Sequence, residues 1–409
     1  GGGFETFLTA LSLRGGDKND KHYSPRGAPA DTRNLVLRSG EAIAESVSSV
    51  LGGLKATGLF PRADGQMELA LRRLASFEGK ARARWLSSPL LRGWVGRLSA
   101  ALRSGSAETA IARVLDQIPN YFAQPEALSE FPYWHWSGVI EVADPALCIR
   151  ALDTSLSEGC GLTNLQLDNC TVDALSPIAG TEIVVRSDAP SLRLQIDQSA
   201  APQRETAVIG DNAPAGDPAY PAYDGATFHT AVEWLSVAWP EELSDWNQTV
   251  QVIIPFQLVG RWSANSFTMS SMQGACWSTQ SDLLLTYESL VHEQSHIKLR
   301  YIEDSFPLLQ PGQTDQSFPV GWRSDRRPII GIFEGVYVHL HIAHALLRLL
   351  ETGLLDAEQS VKAHRRLQEI VLHAAQGTDI LNGHARWTNH GVHFQQWAFD
   401  EIHFLRRRM

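Results

Sequence analysis

The period of the apolar positions changes along the chain, and those changes outline its elements. From Asp31 to about residue 120, Leu35, Leu37, Ile43, Val47, Val50, Leu51 and Leu54 keep roughly helical spacing. Further helical runs are expected over Met67–Phe77, Leu90–Leu102 and Glu108–Ile118, with breaks at Pro61, Pro89 and Ser104-Gly105. Between Trp134 and Ile196 short β-like runs take over: Val139–Val142, Leu165–Leu167, Glu182–Val185 and Leu192–Ile196, set apart by Gly, Asp, Asn and Pro. Gln198–Ala226 reads as a long loop and Thr227–Val237 as a helix. Gln251–Val259, QVIIPFQLV, reads as a strand that Pro255 marks as an edge or a bulge.

Helical periodicity then returns. Leu283–Leu299, LLLTYESLVHEQSHIKL, contains neither Gly nor Pro, and after a loop over Phe306–Pro319 a second run fills Gly321–Leu350. A third helical region spans Asp356–Arg408. The expected fold is α+β and predominantly helical, with a small central β region. Its regions are a helical 1–125, a mixed β and loop 126–260 and a helical 261–409, the last two forming one catalytic unit.

The helix Leu283–Leu299 carries His-Glu-x-x-His at His292–His296. Residues four apart lie one turn apart on one face, so both imidazoles can reach one metal ion. Glu293, roughly 100° around the helix, can reach a metal-bound group without being a ligand. Glu288, one turn before His292, is placed to accept a hydrogen bond from a ligand imidazole and fix its tautomer. Eleven of the fourteen histidines lie at or after His292, which puts the chemistry in the C-terminal third.

Composition narrows the partners. A net charge of -10 argues against wrapping nucleic acid or lying on an anionic membrane. The longest apolar stretch, Ile329–Leu350, holds Glu334, three histidines and Arg348, which reads as a buried helix and not a membrane span. The four cysteines, Cys148, Cys160, Cys170 and Cys276, lack C-x-x-C spacing, and no basic-then-apolar targeting stretch is seen, so a reduced, cytoplasmic setting is expected.

Two histidines hold a metal poorly, and the next long helix offers Glu334 or His339 as the third ligand. Glu334 would suit a zinc peptidase or a two-histidine, one-carboxylate iron site; His339 would give three histidines. Arg323, Arg326 and Arg327 precede that helix. An iron oxygenase that consumes 2-oxoglutarate needs such a guanidinium to hold the far carboxylate.

The run from SFTMSSMQGACW through YESLVHEQSHIKL to IIGIFEGVYVHL resembles the HExxH peptide-modification proteins of ribosomal peptide natural-product clusters. The resemblance covers roughly Val252–His344. It implies a 2-oxoglutarate-dependent iron hydroxylase of precursor peptides, using Fe(II), 2-oxoglutarate and O2 to hydroxylate a side-chain carbon, at Cβ. The family's G-V-Y-A-H-L pattern falls on Gly335–Leu340 with Val338 at the Ala position, which favours His339 as third ligand. Arg323 or Arg327 becomes the 2-oxoglutarate clamp, Arg326 stands where the family pattern has proline, and Glu293 orients water, substrate or a ligand ring. The rival enzyme is a zinc peptidase with Glu293 as general base. A third reading is a peptide-binding scaffold with a structural metal.

Overall fold

The computed structural model describes residues 32–76, 79–103, 108–118, 139–140, 147–151, 170–174, 177–186, 225–256, 266–313 and 316–409. The β-like runs expected at Leu165–Leu167 and Leu192–Ile196, and the loop from Gln198, lie outside those residues. The protein is predominantly helical with a small β component. It divides into two units, each assembled from segments that alternate along the chain. One is drawn mainly from Val36–Tyr223 and Val250–Trp277, the other from Asp224–Thr249 and Ser278–Met409. The cuts expected at 125/126 and 260/261 follow chain order, whereas the strands at 250–277 associate with the N-terminal helices.

In the first unit the helices are α1 (Thr32–Thr57, its first residues belonging to the other unit), α2 (Asp64–Ser76), α3 (Gly79–Leu86), α4 (Pro89–Arg103) and α5 (Glu108–Leu115). Their apolar stripes close on a sheet of β4 (Val184–Val185), β5 (Val252–Phe256), β6 (Ser266–Phe267) and β7 (Ala275–Thr279), in the order β4-β5-β7-β6. Leu51, Met67, Leu90 and Trp94 share one buried cluster with Val252, Ile254, Phe267 and Trp277. Polar pins fix this packing: Arg92 donates to Gln273 at 2.9 Å and to Ser39 at 3.1 Å, and the Gln251 amide to the Arg84 carbonyl at 2.9 Å. A separate antiparallel meander joins β1 (Val139–Ile140), β2 (Leu147–Ala151) and β3 (Cys170–Ala174).

Of the two readings of Pro255, edge or bulge, the edge does not hold, because β5 lies inside the sheet. The parallel partner β4 pairs only at Val252 and Ile253. Pro255 therefore lies past the end of that partner, where its missing N–H removes no ladder bond to β4.

The second unit is built from α6 (Ala226–Ala238), α7 (Pro240–Thr249), α8 (Leu283–Ser305), α9 (Ile329–Thr352), α10 (Ala357–His384) and α11 (Asn389–Arg408), with a short hairpin of β8 (Ser317–Phe318) and β9 (Arg327–Pro328) before α9. α9 is apolar nearly all round and is accordingly buried, packing along α10 and across α8. By length and composition α9 is able to cross a membrane, but 78% of its apolar window is buried within the protein. It stops at Gly353, whose φ of 73° is the left-handed conformation glycine adopts without strain. The Asp356 capping box starts α10, and the Thr388 hydroxyl caps α11.

A candidate metal centre on three helices

Asp282 caps α8 by accepting from the Leu285 amide at 3.0 Å, and Pro307 follows its end. Burial surrounds the helix: Tyr287, Val291, Ile297 and Tyr301 are inaccessible, and the Tyr287 hydroxyl donates to the Ala345 carbonyl of α9 at 3.2 Å. Within this frame His292 and His296 converge, their Nε2 atoms 3.2 Å apart. Two nitrogens each about 2.1 Å from one ion, at roughly a right angle, are separated by a similar distance. Glu293 is 2% exposed, and its Oε1 lies 3.9 Å from His292 Nε2.

His339 approaches from α9. Its Nδ1–H donates to the Gly335 carbonyl at 2.6 Å, which leaves the Nε2 lone pair for a metal. Its charge is felt by His296 and it feels that of His292, so the three rings share one electrostatic neighbourhood. All are held neutral. Loss of hydration, then His292, push His339 down to about 3. His296 is driven far below its ordinary value, by burial first and then by His292 and Arg300. His292 is lowered to about 4 by burial, Arg366 and Arg323, although 39% of its side chain stays accessible. That accessibility makes His292 the ring that opens on solvent. Neutral imidazoles are the form that binds metals. Among the described residues, however, no group of three or more His, Cys, Asp or Glu side chains is gathered closely enough to count as a metal cluster.

The other anticipated residues divide between this neighbourhood and its edge. Arg323 acts on His292, and Arg327 on His296 and Glu334. Both also pair with Asp325, Arg323 Nε at 2.9 Å and Arg327 Nη1 at 3.2 Å. Glu334 lies among Arg300, Arg327 and Glu303, and burial raises its carboxyl above the usual range. Glu288 does not serve an imidazole. Both its oxygens meet Arg366 at 2.6–3.0 Å, because a two-pronged guanidinium is the stronger partner for a carboxylate.

α10 supplies a wall that its helical pattern alone does not announce. Arg366 also bonds Glu369 at 2.9 Å and presses on His292 and His339 with its charge. His373 sits 5.7 Å from His339, ring to ring, and 5.8 Å from Trp322. Trp322 makes an edge contact with His339 at 4.9 Å and fills the space beside Gly335 and Gly377. A Cβ at Gly377 would come within 2.5 Å of Val336 and 3.0 Å of Trp322, so the glycine permits the close crossing of α9 and α10. The signal in the sequence was the seven-residue step from Arg366 to His373, one helical face.

Behind the site, Lys298 is buried between Glu242, at 3.1 Å, and Asp245 of α7. His344 meets Glu401 of α11 at 2.8 Å, both nearly inaccessible. These pairs tie α7, α8, α9 and α11 together. Neither a protein-family model nor a curated protein sequence matches the chain.

Proposed function

We propose that this protein is an Fe(II)- and 2-oxoglutarate-dependent hydroxylase acting on a side-chain carbon, at Cβ, of a ribosomally made precursor peptide. The supporting observation is the pair of neutral imidazoles with Nε2 atoms 3.2 Å apart, together with a ring on α9 whose Nε2 is left free by the Nδ1 bond to the Gly335 carbonyl. In this reading His292, His296 and His339 hold the metal. With the oxo acid and dioxygen, bound iron supplies the oxidising power to hydroxylate an unactivated C–H bond. The chain's own residues do the rest. The Gly335 carbonyl fixes the His339 tautomer, Arg366 keeps Glu288 off the ligand rings, and Trp322 and His373 wall the site. Glu293 orients a water or the substrate beside His292. The peptide enters on the accessible side of His292.

The test is anaerobic loading with Fe(II), then addition of 2-oxoglutarate, ascorbate, air and a co-expressed precursor peptide. Succinate release with one oxygen added to the peptide is the expected result. A second reading, a zinc peptidase, draws on the same placement of Glu293, 3.9 Å from His292 Nε2, where a carboxylate can take a proton from a metal-bound water. Peptide cleavage supported by zinc alone, without 2-oxoglutarate, would replace the first reading with the second.

A further inference from the structure

Arg300 follows His296 by four residues and His292 by eight, which places all three on one stripe of α8. Its Nη1 is fully buried and has no hydrogen-bond partner among the described residues. A buried cationic donor left without an acceptor is costly, and such groups are normally paired. The nearby acids Glu303 and Glu334 feel its charge without hydrogen-bonding Nη1. Glu303 is pushed up to about 8, by burial and by Glu334, and burial raises Glu334 as well. Of the other cations that act on the three histidines, Arg323 and Arg327 already donate to Asp325 and Arg366 to Glu288 and Glu369.

We propose that Arg300 is the anion anchor of this site, receiving one carboxylate of a small dicarboxylic oxo acid whose other end lies at the histidines. The inference rests on the hydroxylase reading and moves the clamp from the loop before α9 onto the metal helix itself. Four residues of helix, a rise of about 6 Å, separate Arg300 from His296 along the axis. That rise suits an acid with a short carbon chain between its carboxylates, and a longer or single-ended acid would not engage both places. A guanidinium grips the carboxylate through two parallel N–H bonds.

Binding of 2-oxoglutarate to the iron-loaded protein under anaerobic conditions, measured by calorimetry together with iron content, tests the assignment. Arg300→Gln is expected to weaken 2-oxoglutarate binding about ten- to hundredfold, the loss of a charge-assisted pair, with iron content unchanged. Arg323→Gln and Arg327→Gln should bind nearly as the wild type does. Because Arg300→Gln risks misfolding, Arg300→Lys serves as the second variant: it keeps the charge and the stem, loses the paired donors, and should weaken binding severalfold. Unchanged binding in either folded, iron-containing variant overturns the anchor and leaves the hydroxylase reading standing. So does loss of binding in the Arg323 or Arg327 variant alone. Failure of the iron-loaded wild type to bind 2-oxoglutarate overturns both.

Discussion

His339 and Glu334 share a helix but answer to different nearest charges. His339 responds to His292 and His373, Glu334 to Arg300 and Arg327. His339→Ala should therefore lose bound iron, while Glu334→Ala keeps it; counting metal per chain decides, and the reverse result would make Glu334 the ligand. Protonation gives a second residue-scale expectation. His341, bonded through Nδ1 to the Tyr337 carbonyl at 2.9 Å, is pushed down to about 3 by burial and by Lys298. In the unfolded chain an imidazole titrates near about 6.5, so over that interval the unfolded state takes up more protons. The stability His341 contributes is complete above that value and drains away as the pH falls towards 3. Thermal midpoints of the metal-free protein should drop between neutrality and moderate acid, and less steeply in His341→Gln. Glu303 tilts the curve the other way: with its acid raised to about 8, its contribution is complete below the ordinary carboxylate range and lost as the pH climbs through that value. The midpoint of Glu303→Gln should thus fall less than that of the wild type between the ordinary carboxylate range and about pH 8.

Elements carry the next set of consequences. Gly377→Ala drives a methyl into Val336 and Trp322 where α9 and α10 cross. Overpacking of this kind costs about 1–3 kcal/mol, read as a lower denaturant midpoint. The helices around the site were legible because their signals are local. The i, i+4 histidines and the apolar run of α9 each depend on residues a few positions apart. The edge reading of Pro255 failed because the residue's tolerance depends on how far β4 extends, which no local pattern records. Arg366 and His373 were passed over for the same reason, since only the crossing of α10 on α9 gives them a role. Arg300 kept the four-residue step of the motif but belongs to no motif.

For the molecule as a whole, the interleaved units mean that the histidine helices are not a free-standing fragment. Without α7, Lys298 would lose Glu242 and Asp245 and stand as an unpaired buried charge, which is strongly destabilising. Without Trp239, between α6 and α7, the rings of His341 and His344 would each lose one aromatic neighbour. A fragment beginning at Ser278 should therefore fail to give a cooperative melt by circular dichroism, although it contains His292, His296 and His339.

Trp322, wedged beside two glycines and edge-on to His339 at 4.9 Å, also serves as an optical gauge. Paramagnetic iron seated against that ring would drain the excited indole, so emission should dim as Fe(II) is titrated in without air. Subtracting the response of Trp322→Phe isolates this lamp from the remaining tryptophans and reads occupancy without turnover.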